Sequence, residues 1–246
     1  MKQKKILVIG YKGKMGEIAI QAINTNPALI YVGGCGSTDN LEEKIKSTLP
    51  DIIIELSNYK SVYKNSLLAI KHNINIVIGA SGLQQKEISD LQKLCDQKKL
   101  GALIVPNFSM GAILMMHCSA QIAKFFPNAA ITETHHLNKK DAPSATAIAT
   151  AEIIAKNRKL APINHVSEEI LAGSLGGDCN NTPIHSLRMP GKLAHQTVTF
   201  ANLGESLTIS HDTVSREAFT SGINFALEQV STLKSLHIGL DTILNI

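Results

Sequence analysis

Fifteen residues, "ETHHLNKKDAPSATA" from Glu133 to Ala147, hold two adjacent histidines, two adjacent lysines, an Asp-Ala-Pro and a Ser-Ala-Thr. A histidine near its own pKa can give up a proton at neutral pH. A lysine can bind a carboxylate or stabilise developing negative charge. Ser144 precedes the apolar run "AIATAEIIA" and can cap the helix that the run predicts, leaving neighbouring N–H groups as an anion cradle. Pro143 fixes the chain just before it. Three readings compete. For a metal, adjacent histidines on a strand point to opposite faces, and no cysteine or third histidine lies at ligand spacing. A solvated loop accounts for polarity alone. A site for an anionic substrate with a proton donor accounts best for the composition.

A second candidate group opens the chain. In "ILVIGYKGKMGEIAI", Gly10, Gly13 and Gly16 stand between an apolar run and a helical pattern. A backbone without Cβ can turn tightly there and let a pyrophosphate approach, while the helix N-terminus offers free N–H groups. The spacing is G-x-x-G-x-x-G, with Lys12 where the usual dinucleotide fingerprint has its middle glycine. Binders of NAD carry an acid at the end of the second strand to hold the ribose 2′-hydroxyl. Here "YVGGCGSTDN" offers Gly36, Ser37 and Thr38 at that point, and the first acid is Asp39. Without a carboxylate at the strand end a 2′-phosphate is not repelled, and Lys14 can pair with it. The pattern leans to NADPH; NADH follows if Asp39 swings back.

The elements that position these groups read as strands and helices in alternation. "KILVI" (5–9), "ALIYVGG" (28–34), "DIIIEL" (51–56), "INIVI" (74–78) and "GALIV" (101–105) are short apolar runs separated by helical patterns at 15–27, 61–73 and 84–100. Five such strands predict a doubly wound, Rossmann-like parallel sheet. Past Pro106-Asn107 the character changes to α+β. Helices are expected over 109–126, 144–158 and 215–230. Strands are expected over 129–137, 184–189, 195–203 and 205–213, with a turn at Gly204-Glu205 and a long loop over 159–183. The expected domains are 1–107, completed by 216–246, and 108–215.

Net charge is +4 with no basic run, so nucleic acid is not implied. Four cysteines at 35, 95, 118 and 179 form no CxxC pair, which suits reduced thiols rather than a zinc framework. No segment approaches a membrane span, and the N-terminal apolar run is too short for a signal peptide core. The expected location is cytoplasmic.

The long histidine-lysine motif resembles E-x-H-H-x-x-K-x-D-A-P-S-G-T-A, the signature of the dihydrodipicolinate reductase family. This chain carries Glu133, His135, His136, Lys139, Asp141, Ala142, Pro143, Ser144, Ala145, Thr146 and Ala147 at those places. "GYKGKMG", "VIGASG", "VPNFSMGAILMM" and "ANLGESLTISHDTVSREAF" resemble further family motifs in the same order, so the similarity spans nearly the whole chain.

The resemblance implies a reductase of a cyclic imine dicarboxylate in diaminopimelate and lysine synthesis, using NADPH or NADH. His135 would be the general acid and Lys139 its partner. His136, Ser144, Ala145 and Thr146 would hold substrate carboxylates. Gly10, Tyr11, Lys12, Gly13, Lys14 and Met15 would cradle the pyrophosphate, with Lys14 on the 2′-phosphate. Ser37 and Thr38 would flank the adenine ribose. Gly79, Ala80, Ser81, Val105, Pro106, Asn107 and Phe108 would line the nicotinamide half. The family is generally a homotetramer joined through the second domain, and the helix after Arg216 returns to the cofactor domain. The chain departs from the family pattern at Ala145, where a glycine is usual, at Ser37, at Ala80, and in "ELSNYKS" (55–61), which lacks the basic residue and the proline of the family's turn after the third strand.

Overall fold

The computed structural model describes residues 3–163 and 167–244. In chain order the strands are β1 (Lys4–Ile9), β2 (Leu29–Cys35), β3 (Ile52–Glu55), β4 (Asn75–Ile78), β5 (Ala102–Ile104), β6 (Asn128–His135), β7 (Gly177–Asp178), β8 (Pro183–Arg188), β9 (Ala194–Asn202), β10 (Glu205–Thr213) and β11 (Leu236–Ile238). The α-helices are α1 (Lys14–Thr25), α2 (Leu41–Thr48), α3 (Val62–Lys71), α4 (Gln85–Lys98), α5 (Met110–Ile122), α6 (Ala145–Asn157) and α7 (Thr220–Gln229). They form two compact units. One holds the chain up to Met110 and again from Arg216; the other holds Gly111–Ser215.

The first unit is a six-stranded sheet in the order β2-β1-β3-β4-β5-β11, with every pair parallel. Its central strands are near-continuous Ile, Leu and Val because helices cover both faces. Leu7, Ile9, Ile53, Ile76 and Ile78 pack on the side of α2, α3 and α4, against Ile45, Ile70 and Leu91. α1 and α7 pack together and bury Ala22, Ile23, Ile223 and Leu227. After β2 the chain crosses back and lays β3 on the other side of β1. The order therefore reverses between β1 and β3, and such a switch point opens a crevice at the carboxyl ends of the strands.

Two elements of this unit were not foreseen. α2 is eight residues and largely charged, and it is nucleated by its cap: the Asn40 side chain accepts from the N–H groups of Glu42 and Glu43 at 3.0 and 3.4 Å. β11 is three residues long and exists by pairing with β5. The segment expected as one helix over 215–230 begins as a 3-10 turn, Arg216–Phe219, before α7. Gly222 of α7 lies on the Phe108 backbone, where a Cβ would approach the Phe108 carbonyl carbon to 2.8 Å.

The second unit is a mixed sheet in the order β10-β9-β6-β8-β7. β6 runs parallel to β8 and antiparallel to β9. α5 and α6 supply Met115, Ala123, Ala147, Ala151 and Ile154 to a core completed by Ala129, Ile131, Ile184, Val198 and Phe200 of the sheet. The β9–β10 turn is Leu203-Gly204, one residue earlier than expected. Gly204 takes φ +84° and Glu205 already pairs with Asn202. The segment expected as a loop over 159–183 contains the two-residue strand β7; residues 164–166 within it lie outside the described residues. Among the described residues no helix is long and apolar enough to cross a membrane.

Candidate active site

Each candidate in the first unit follows the carboxyl end of a strand. After β1, Gly10 takes φ +80°, and a Cβ there would meet the Leu56 carbonyl oxygen at 2.5 Å. The Gly13 N–H closes the turn on the Gly10 carbonyl at 2.9 Å. Gly16 sits on the Tyr11 backbone, 2.6 Å from where its Cβ would be. Gly13 is the N-cap of α1 and makes no side-chain cap bond. The first N–H groups of that helix, at Lys14, Met15 and Gly16, therefore have no partner within the helix. Lys12 and Lys14 are exposed, and the Lys12 ammonium lies 5.5 Å from the centre of the Tyr11 ring. A glycine-walled turn with free N–H groups and two lysines suits a dinucleotide diphosphate, so the residues present fit such a cofactor.

After β2, the exposed Ser37 and Thr38 form a turn in which the Gly36 N–H donates to Asp39 Oδ2 at 2.7 Å. The Asp39 N–H returns to the Gly36 carbonyl at 3.3 Å. A carboxylate thus does stand at the strand end, folded back by three residues. After β4, the Gly79 and Ala80 N–H groups both donate to the Glu55 carbonyl, at 2.9 and 3.2 Å. Gly79 leaves room for Leu56 and Phe108, each 2.6 Å from a would-be Cβ, and Ser81 is exposed. After β5, the Val105 N–H donates to the Ile78 carbonyl at 2.8 Å. Past the exposed Pro106, Asn107 Oδ1 accepts from the Ser109 N–H at 2.8 Å, and Phe108 is buried. The "ELSNYKS" turn is organised around Glu55. Glu55 is fully buried and binds the Ser57 hydroxyl, while Asn65 donates to it at 3.1 Å. Burial raises its pKa despite these donors.

In the second unit the chemistry-bearing residues lie at the end of β6 and on the loop that follows. His135 is the last residue of β6, with its side chain 16% exposed. Its Nδ1 hydrogen-bonds Glu133 Oε2. Burial lowers the His135 pKa; Glu133 opposes that, and Lys139 and Arg188 add to it. The Lys139 N–H closes a turn on the His136 carbonyl at 3.1 Å, and His136 is half-buried. Lys139 Nζ donates to both oxygens of Asp141, at 2.9 and 2.8 Å. Lys140 is exposed.

Ser144 is the N-cap of α6; its Oγ accepts from the Ala147 N–H at 3.2 Å. The N–H groups of Ala145 and Thr146, the first two helical residues, have no partner within the helix. Ala145 is exposed and does not take a positive φ, so its methyl group strains no backbone. A cavity of about 570 Å³ opens beside Ala142, Pro143, His185 and Ser186, and neither His135 nor Lys139 lines it. Among the described residues no group of three His, Cys, Asp or Glu side chains is arranged to hold a metal ion.

Two residues escaped the sequence reading. Glu133 is fully buried beside His135, and Arg188 donates to both its oxygens at 3.1 Å. Glu133 could have been found, since it lies two residues before His135 and so shares its strand face. Arg188 could not, because only the β6–β8 register brings it opposite His135.

Comparison with known proteins gives one answer along the chain. The sequence pattern of "Dihydrodipicolinate reductase, N-terminus" matches residues 4–108, and that of "Dihydrodipicolinate reductase, C-terminus" matches residues 111–244. A 4-hydroxy-tetrahydrodipicolinate reductase of Legionella pneumophila (strain Paris) is 41% identical, over 98% of this chain and 99% of its own. One from Syntrophomonas wolfei is 38% identical, over 99% of this chain and 100% of its own. Among solved structures, the dipicolinate-bound dihydrodipicolinate reductase of Paenisporosarcina sp. TG-14 superimposes with TM-score 0.94 at 33% identity, covering 98% of this chain and all of that one.

Proposed function

The chain belongs to the dihydrodipicolinate reductase family, and from that premise we propose that it reduces 4-hydroxy-tetrahydrodipicolinate to tetrahydrodipicolinate, on the route to diaminopimelate and lysine. The conversion removes water and adds a hydride and a proton. The observation that carries the reading is the segment His135–Thr146, where one strand end, one loop and one helix start supply a half-buried histidine, a lysine and free N–H groups. This is what a cyclic imine with two carboxylates and a need for one proton requires.

His135 gives the proton. Burial first, then Lys139 and Arg188, weaken its hold on that proton. Lys139 takes a substrate carboxylate in exchange for Asp141. His136, Ser144 and the N–H groups of Ala145 and Thr146 hold the remaining carboxylate oxygens. The dinucleotide lies on residues 1–107 with 216–246, and residues 108–215 serve substrate binding and assembly. When bound, the dinucleotide supplies the hydride. Gly10, Tyr11, Lys12, Gly13 and Met15 hold its diphosphate, and Ser37 and Thr38 its adenine ribose. Gly79, Ala80, Ser81, Val105, Pro106, Asn107 and Phe108 hold its nicotinamide half. NADPH is the preferred form, with Lys14 on the 2′-phosphate; NADH is accepted because Asp39 offers a carboxylate to a 2′-hydroxyl.

The working assembly is a homotetramer formed through the second unit, on which Leu187, Leu203 and the loop residues Ile170 and Leu171 are exposed. Light scattering should return four times the 26.5 kDa chain mass, and a monomer would refute the assembly. The ligand reading is tested by calorimetric titration with pyridine-2,6-dicarboxylate in the presence of NADPH. Saturable binding is expected. No heat at any concentration would overturn the assignment of a dicarboxylate site.

A further inference from the structure

A carboxylate taken out of water without partners is costly, so the partners of a fully buried one say what it is for. Glu133 makes three kinds of contact. One oxygen meets Nδ1 of His135. Both oxygens receive Arg188 Nη1 at 3.1 Å. Ser186 on β8 hydrogen-bonds it as well. Arg188 then reaches onward, its Nη2 donating to the Asp141 carbonyl at 2.6 Å. A single run of contacts therefore joins the loop that carries Lys139 to the ring of His135. The β6–β8 register builds it, pairing Glu133 with Ser186 and His135 with Arg188.

Resting on the reading of His135 as proton donor, we propose that Glu133 is a positioning residue that holds the His135 ring through Nδ1, and that Arg188 locks Glu133 to the 139–143 loop. With Nδ1–H committed to Glu133, the proton for the substrate leaves from Nε2. The Nε2–H bond breaks as the substrate carbon–hydrogen bond forms, and the imidazolium becomes the neutral ring with Nδ1–H retained. Glu133 receives no proton, and solvent reprotonates Nε2. The hydride comes from the nicotinamide cofactor, so the step balances.

The ionisable groups around the ring are few. Burial depresses its pKa, Glu133 raises it, and Lys139 and Arg188 lower it. His195, with Asp212 at 3.2 Å, projects from β9 to the opposite face of the sheet, and His211 on β10 shares the face of His135 from two strands away. Burial would raise the Glu133 pKa, but the hydrogen bonds of Ser186, His135 and Arg188 outweigh it and the net shift is downward. Glu133 is thus the anion that acts on the ring. Glutamine in its place has one oxygen, which Arg188 claims. Its NH₂ then faces Nδ1 and selects the Nε2–H form of the neutral ring.

The test uses the full chain and two readouts. ¹⁵N NMR of histidine, with His135 assigned by loss of its signals in His135→Asn, reports the tautomer and titration of the ring without any turnover. Steady-state kinetics report the reaction. Wild type should show Nδ1–H in the neutral ring. Glu133→Gln should shift the ring toward Nε2–H and titrate at lower pH. It should also lower kcat by roughly 10²-fold with KM little changed, and move the pH limb of kcat downward. Glu133→Asp keeps the anion and should keep the titration, at reduced kcat; it serves if the glutamine variant does not fold. Arg188→Lys, which loses the two-sided grip, should lower kcat by roughly tenfold. Unchanged tautomer and titration in Glu133→Gln would overturn the proposal, whether or not activity fell. Should the wild type itself turn over no substrate, the functional reading fails while the ring titration still decides the role of Glu133.

Discussion

His135→Ala lowers kcat by roughly two orders of magnitude and leaves cofactor affinity unchanged. The size follows from the role. A positioned general acid contributes about 10²–10⁴ in rate, and the lower end applies where water can enter the vacated space and deliver a slower proton. The ring is 16% exposed, so such access exists. Cofactor affinity is unaffected because the glycine turn and its free N–H groups belong to the other unit. The pH profile adds a sign. The His135 pKa is lowered, first by burial and then by Lys139 and Arg188. A general acid works in its protonated form, so kcat is highest below that pKa and falls as pH rises through it. His135→Ala should lack this limb. A variant with normal kcat, or one that keeps the limb, would remove His135 from the reaction.

Lys139→Met weakens pyridine-2,6-dicarboxylate and raises KM. In the free protein Lys139 pairs with Asp141, whose side chain is 60% exposed. Exposed ion pairs contribute about 0–1 kcal/mol, so a substrate carboxylate displaces Asp141 at little cost. A hydrogen bond from a charged donor to that carboxylate contributes about 1.5–3 kcal/mol, which converts to a loss of roughly 10- to 150-fold in affinity. Methionine keeps most of the length of the side chain and removes the charge. Calorimetric titration of the variant, with NADPH present, measures the loss directly. Affinity within twofold of wild type would place the carboxylate elsewhere.

Much of the site was legible because its signals are local. The glycine turn needs one strand, one helix and the absence of Cβ atoms at Gly10 and Gly16, all contained between Lys4 and Thr25. His135, Lys139 and Ser144 lie within one loop and its flanks, and the cap that Ser144 makes is a short-range property. The parallel sheet was legible from its apolar runs, since strands covered on both faces have no reason to alternate. Elements that depend on distant partners were not. β11 is three residues that only β5 makes into a strand. α2 is too short and too charged to show an apolar face, and a lone asparagine cap does not mark a helix by itself. Asp39 could be placed at the end of β2 only once the turn returned its carboxylate to the Gly36 N–H. Arg188 lies 53 residues beyond His135 in number, and strand register alone brings the two together. Ala145, where the family pattern has glycine, begins α6 at an exposed position without a positive φ, a conformation that any residue adopts.

Reduction of the bound ring is measured by mixing the purified protein with NADPH and 4-hydroxy-tetrahydrodipicolinate generated enzymatically in the same cuvette, and following absorbance of the reduced nicotinamide. Steady oxidation is expected that depends on the generating enzyme and slows by roughly 10²-fold in His135→Ala. Absence of oxidation by wild type, with both NADPH and NADH and with substrate formation verified independently, would contradict the proposed function.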